Sequence, residues 1–263
     1  MTLDYLAHLR EESARFVAVL REAPADGQVP TCPDWQPDDL LWHLGEVQWF
    51  WGAIVNDRVT DPESLEHPDR PPSREELLAF FEESTKALQS ALAETDPAEH
   101  RWTWSDDQTV GFIRRRQAHE ALIHRVDAEL TADLERAPMD PALASDGVDE
   151  ALRVMFAGCP PWGRLELDDT ANLRVRATDT GASWRVTLGR FSGTSPKGKT
   201  YTDEPDIEVA ATDTGEDVQA TVEGNASDLD CWLWGRPTVE ALHRSGDESV
   251  HARFQDIVSQ GVD

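Results

Sequence analysis

Three residues carry the strongest chemical signal in the sequence. His43 sits in the run Leu40-Leu41-Trp42-His43-Leu44-Gly45, and Glu120 and His124 sit in Gln117-Ala118-His119-Glu120-Ala121-Leu122-Ile123-His124-Arg125. At about 100° per residue, Glu120 and His124 lie about 40° apart around a helix axis and stack one turn apart, so both can reach one ion. His119 and His124 are about 140° apart and face different ways. The run is therefore not the His-Glu-x-x-His zinc-protease motif, whose histidines are four apart. His43 comes from a separate apolar stripe, with Leu40, Leu44 and Val47. Two imidazoles and one carboxylate leave a position open for water or substrate, the usual form of a catalytic zinc site. The same set matches the facial triad of non-haem iron. The competing structural reading is a satisfied core histidine beside a surface Glu–His pair. His8, His67, His100, His243 and His251 have no partner at ligand spacing and are expected to be surface or structural.

The elements that must position these residues follow from the hydrophobic pattern. Leu6, Leu9, Ser13, Phe16, Val17 and Leu20 recur at helical spacing over residues 2–23, and Pro24 ends that helix. A proline-marked loop, Val29-Pro30-Thr31-Cys32-Pro33-Asp34-Trp35, follows. A second helix begins near Pro37, since proline suits a first turn, and carries Leu40, Leu41, Leu44, Val47, Trp51 and Val55. A linker holding Pro62, Pro68, Pro71 and Pro72 leads to Ser73-Arg74-Glu75-Glu76, which reads as a capping box. The third helix carries Leu77, Phe80, Phe81, Leu88 and Leu92 to about residue 94, and the fourth spans about 109–134. Four long helices with apolar faces predict a four-helix bundle.

The pattern changes near residue 140. A short helix is predicted over 148–157, then strands at 164–167, 173–177, 184–188, 207–211 and 218–222. Asp179-Thr180-Gly181 and Asp213-Thr214-Gly215 are turn signals. A short helix over 226–234 and a last amphipathic helix with Val250, Phe254, Ile257 and Val258 complete an α+β layout, an open sheet with helices against one face. The expected domains are thus 1–140 and 141–263.

Composition narrows the function classes. Twenty-four basic and 51 acidic residues give a formal net charge of −27 over 263 residues. That balance repels DNA, RNA and anionic membranes, so nucleic acid and membrane are excluded as main partners. The three cysteines, Cys32, Cys159 and Cys231, are far apart and odd in number. They fit a reducing compartment better than a disulfide or zinc framework. The N-terminus lacks the pattern of a signal peptide, and no apolar run is long enough to span a bilayer. A cytoplasmic protein is expected.

Three stretches together resemble one family. Val29-Pro30-Thr31-Cys32-Pro33-Asp34-Trp35, Asp39-Leu40-Leu41-Trp42-His43-Leu44-Gly45-Glu46-Val47 and Arg115 through Asp127 are similar to the mycothiol-dependent maleylpyruvate isomerases of actinobacteria. So is the tail, with Val222-Glu223-Gly224-Asn225-Ala226-Ser227-Asp228-Leu229, Cys231-Trp232-Leu233-Trp234-Gly235-Arg236 and Gly246-Asp247. The resemblance implies a DinB-like four-helix bundle followed by a smaller, sterol-carrier-like α+β domain. It implies metal ligands at His43, Glu120 and His124, the residues that helical geometry selects. It implies zinc there, with Fe2+ or Ni2+ as alternatives, and mycothiol as thiol cosubstrate. Arg236 matches a family arginine near the pocket, although an arginine capping a helix end is the competing reading.

The implied chemistry is thiol activation: a metal-coordinated thiol is deprotonated, and the thiolate is the nucleophile. It would attack a small electrophile. Addition to maleylpyruvate, rotation and elimination give cis–trans isomerisation, whereas a persistent adduct gives S-transfer. The global negative charge leans toward S-transfer, because an anionic substrate is repelled unless local arginine and metal hold it. Cys32 is expected to pack and not to react. Trp42, Trp49, Phe50 and Trp51 near His43 read as bundle core or as an apolar wall. Arg114, Arg115, Arg116 and Arg125 read as a solvated face or as a local offset to the acidic field. Two other classes stay open: a carrier whose α+β domain holds an apolar ligand, with a structural metal, and a non-haem iron oxidative enzyme. A homodimer is compatible with such bundles.

Overall fold

The computed structural model describes residues 3–24 and 26–260. Thr2, where the first helix is expected to begin, lies outside the described residues. The chain divides into two compact units, Met1–Pro138 and Met139–Asp263.

The first unit is a four-helix bundle of α1 (Tyr5–Glu22), α2 (Pro37–Asn56), α3 (Arg74–Glu94) and α4 (Val110–Thr131). Each start has a local cause. The Asp4 carboxylate accepts the Ala7 amide, Ser73 Oγ accepts the Glu76 amide and Thr109 Oγ1 accepts the Phe112 amide. Ser73 also donates to the Glu76 carboxylate, in the box expected from sequence. Pro37 occupies the first turn of α2, and the Gln36 amide donates to Asp39.

Cross-helix contacts fix the directions. Along α1 and α4, Tyr5 meets His119, Glu12 meets Arg125 and Arg15 meets Glu129, so these two helices run parallel. Along α2 and α3, Gln48 meets Thr85 and Gly52 lies against Leu88, so they are parallel as well. Gln48 also reaches Ser13 on α1, and His43 reaches Glu120 on α4. The order is up-down-down-up, and the stretch 57–73 must return the length of the bundle before α3 can start. Gly45 permits the close α2–α3 approach: a Cβ there would lie 3.2 Å from the Phe80 ring. Phe16, Leu20, Leu40, Leu41, Leu44 and Phe81 form the core at this end. Each fully buried side chain of that size contributes about 1.5–3 kcal/mol.

The second unit opens with α5 (Pro141–Glu150), which runs into a single π turn, Ala151–Phe156. This helix starts seven residues before the predicted 148, where Asp140 caps the Ala142 and Leu143 amides ahead of Pro141. Five strands follow, β1 (Gly163–Ala177), β2 (Ser183–Thr194), β3 (Thr200–Val209), β4 (Ala220–Gly224) and β5 (His243–Gly246), in spatial order β3-β2-β1-β4-β5. Only the β1–β4 pairing is parallel. The two runs expected at 164–167 and 173–177 are one strand, interrupted by a register shift between Leu167 and Asn172. β3 starts seven residues before its expected apolar run, through polar Thr200–Pro205. β5 was not expected at all; every one of its residues is exposed, so it shows no apolar alternation. Leu173, Val175 and Ala177 on β1 and Trp184, Val186 and Leu188 on β2 point inward. Two helices complete the unit: α6 (Ala226–Leu233), which packs on α5, and α7 (Glu248–Ser259), which buries Val250, Phe254, Ile257 and Val258. No described helix is long and apolar enough to cross a membrane.

Candidate metal centre

His43, seven residues into α2, and Glu120 and His124, on successive turns of α4, converge in the bundle. One ligand atom from each lies within 4.8 Å of the other two. Glu120 Oε1 is 3.1 Å from His124 Nε2 and 3.6 Å from His43 Nε2. The two imidazoles meet edge to face, with centroids 4.8 Å apart. The side chains are 33%, 20% and 10% exposed for His43, Glu120 and His124, so the cluster is sheltered on the α4 side and open beside His43.

The surrounding groups prepare each ligand. His124 Nδ1 donates to Asp127 Oδ2 at 2.9 Å, which leaves Nε2 directed into the cluster. Asp127 is fully buried and accepts a second bond, at 2.6 Å, from Thr31 Oγ1 in the proline loop. Arg116, itself 4% exposed, donates to Glu120 Oε2 at 3.0 Å and leaves Oε1 between the imidazoles. The Trp35 ring rests on His43 at 4.9 Å.

Electrostatics follow from these contacts. Burial pushes the Glu120 carboxyl up, but hydrogen bonds from His124 and His43 and the charge of Arg116 outweigh it and hold the group well below the usual carboxylate range. Burial pushes the His124 imidazole down, but its bonds to Asp127 and Glu120 outweigh that and raise it to about 9.

The match to known proteins is extensive. A family model described as the mycothiol maleylpyruvate isomerase N-terminal domain matches residues 6–129, and one described as the MDMPI C-terminal domain matches 142–253. The chain belongs to the mycothiol maleylpyruvate isomerase family. Two solved structures similar in fold are a crystal structure of the mycothiol-dependent maleylpyruvate isomerase and one of its histidine-to-alanine mutants. Each has a TM-score of 0.59, 14% sequence identity and coverage of 93% of both chains. No curated protein matches the chain.

Within this isomerase-family fold, the other expected residues take clear places. His119 is buried and meets Tyr5 of α1, away from the cluster. Trp42 pairs with Phe80, and Phe50 and Trp51 with Trp102, while Trp49 rests on His67. These are bundle-packing contacts; the indole that rests on His43 is that of Trp35. Arg114, Arg116 and Arg125 do not form a solvated face. Arg116 pairs with Glu120, Arg125 is buried between Glu12 and Glu129, and Arg114 caps the Leu92 and Thr95 carbonyls. Cys32 packs against the apolar core. In the second unit, Arg236 follows α6, its guanidinium donating to the Trp234 carbonyl at 2.5 Å and its amide to the Cys231 carbonyl at 2.7 Å, the posture of a helix-end cap. Arg116 acts as the local offset to negative charge that the sequence allows, while Asp127 and Thr31 are contributors that the sequence reading does not single out. A carboxylate three residues after a ligand histidine was the available signal for Asp127.

Proposed function

We propose that His43, Glu120 and His124 hold a zinc ion and that the protein uses it, with mycothiol, to act on a small electrophile. The observation that carries this reading is the convergence of the three donors, with Asp127 fixing the ring of His124. The residues fit the ion: two imidazole nitrogens and an anionic carboxylate oxygen face one point, and each ligand on α4 has its far side occupied by a buried partner. Held by these three residues, zinc would lower the pKa of a coordinated thiol, so that the thiol would be present as thiolate.

The chain's own residues do the rest. Arg116 adds its charge to the histidine contacts that keep Glu120 ionised and holds Oε2 of the carboxylate. Asp127, braced by Thr31, fixes the tautomer and plane of His124. Trp35 holds His43 from the proline loop and contributes an apolar surface beside the open side of the cluster. No cysteine of the chain is needed, so the reacting sulfur is the cosubstrate's. Isomerisation and S-transfer share this site and differ in whether the sulfur is expelled after attack; the family assignment supports the isomerase outcome.

The test is a thiol and electrophile screen with metal content measured on the same sample. Zinc-loaded protein is expected to consume mycothiol with monochlorobimane or to isomerise maleylpyruvate, and His124→Ala to abolish both. Absence of any mycothiol-dependent turnover in zinc-loaded protein overturns the reading, and iron in the purified protein would redirect it to oxidative chemistry.

A further inference from the structure

The α+β unit holds a cavity of about 540 Å3 that the thiol chemistry does not use, between the segment after the π turn, strands β2 and β3, and α7. Trp162, Phe191 and Tyr201 line it as a continuous aromatic surface, their centroids 5.5–5.8 Å apart in pairs. Two carboxylates, Glu204 and Asp206, line the same space with a single cation, Lys199. The Lys199 ammonium lies 4.7 Å from the centre of the Tyr201 ring, and its side chain is exposed.

Asp206 is the unusual member. It is half-buried, yet the hydrogen bond recorded for its carboxylate comes from the Ile207 amide, at 2.6 Å, and no cation pairs with it among the described residues. A carboxylate withdrawn from water without a counter-charge is costly. Burial accordingly pushes its pKa up to about 6, with the Ile207 amide only partly offsetting this. A ligand bringing a positive charge would remove that cost and place its body on the rings.

We propose that this cavity binds an organic cation, a protonated amine on an aromatic or apolar body, with the amine on Asp206 and the body against Trp162, Phe191 and Tyr201. The local balance of two carboxylates to one lysine disfavours an anionic ligand, and the −27 charge of the whole chain draws cations toward the surface. The ligand body takes the place of Lys199 on the Tyr201 face, and Lys199 is free to swing into solvent. This site is independent of the zinc reading, since every residue in it belongs to the second unit.

The experiment is isothermal titration calorimetry of the full chain at pH 8 with three probes of one shape: phenethylamine, 2-phenylethanol and 3-phenylpropionate. The amine is expected to bind about tenfold tighter than the alcohol, the scale of one charge-assisted hydrogen bond, and the propionate weakest. Asp206→Asn should bring the amine down to the alcohol, with the fold verified by circular dichroism. Tyr201→Ala should weaken amine and alcohol alike and keep the preference, a result that stands even if the first variant fails to fold. The proposal is overturned by no saturable binding of phenethylamine, by equal affinity for amine and alcohol, or by a preference that survives Asp206→Asn.

Discussion

Glu120 in the bundle and Asp206 in the α+β unit are both carboxylates drawn out of water, and their acidities move in opposite directions. Burial raises both. Glu120 meets two imidazoles and the Arg116 guanidinium, which reverse the effect; Asp206 meets one backbone amide, which does not. Burial sets the cost of a charge, and partners decide whether the charge survives. The bundle has placed its partners in advance, while the α+β unit leaves a carboxylate waiting for one.

The sharpest way to break this contrast is to remove the charge that the bundle protects. Glu120→Ala should lose zinc retention and mycothiol turnover together, measured by elemental analysis and thiol consumption. Next in size is the neighbouring ion network. Arg125 is 1% exposed between Glu12 and Glu129, so Arg125→Met takes the arginine from Glu12 and leaves Glu129 with the Arg15 guanidinium alone, and should cost about 3 kcal/mol in denaturant unfolding. Asp127→Asn keeps the shape around His124 but weakens the acceptor on Nδ1. Zinc affinity should fall about 10–100-fold by chelator competition, with most activity recovered at saturating zinc. Recovery distinguishes a positioning residue from a ligand.

The smallest effect is expected at Asp206, with the opposite sign. Its folded pKa of about 6 lies above the usual carboxylate value, so the protonated form is favoured in the native state. Stability tied to this group is fully present below about pH 4 and is lost as pH rises through 6. Asp206→Asn should therefore stabilise the protein by about 1 kcal/mol at pH 8, allowing for solvent screening, and by nothing at pH 3.5, read as a difference in thermal midpoint.

Much of the bundle was legible because its signals are local. Proline and Ser/Thr caps mark helix starts, and the spacing of Glu120 and His124 becomes a shared face through the helix period alone. The α+β unit was harder. β5, His243–Gly246, is exposed at every position, so hydrophobic alternation says nothing of it. Asp168-Asp169-Thr170 split β1 into two apparent runs because the irregularity between Leu167 and Asn172 carries polar residues. The start of α5 was written in Asp140-Pro141 but overlooked, since the apolar residues that suggested a helix lay farther along.

By itself the sequence determined the helix period, the caps and thus the Glu120–His124 pair, together with the repulsive −27 field and the family motifs. Those depend on neighbours within a few residues or on sums over the whole chain. Only the tertiary structure decided that His43 faces that pair, that Thr31 braces Asp127 across 96 positions, and that Asp206 shares a cavity with aromatic rings while pairing with no cation among the described residues. Such relations depend on how the elements pack, and a carboxylate's acidity follows the charges packing brings to it.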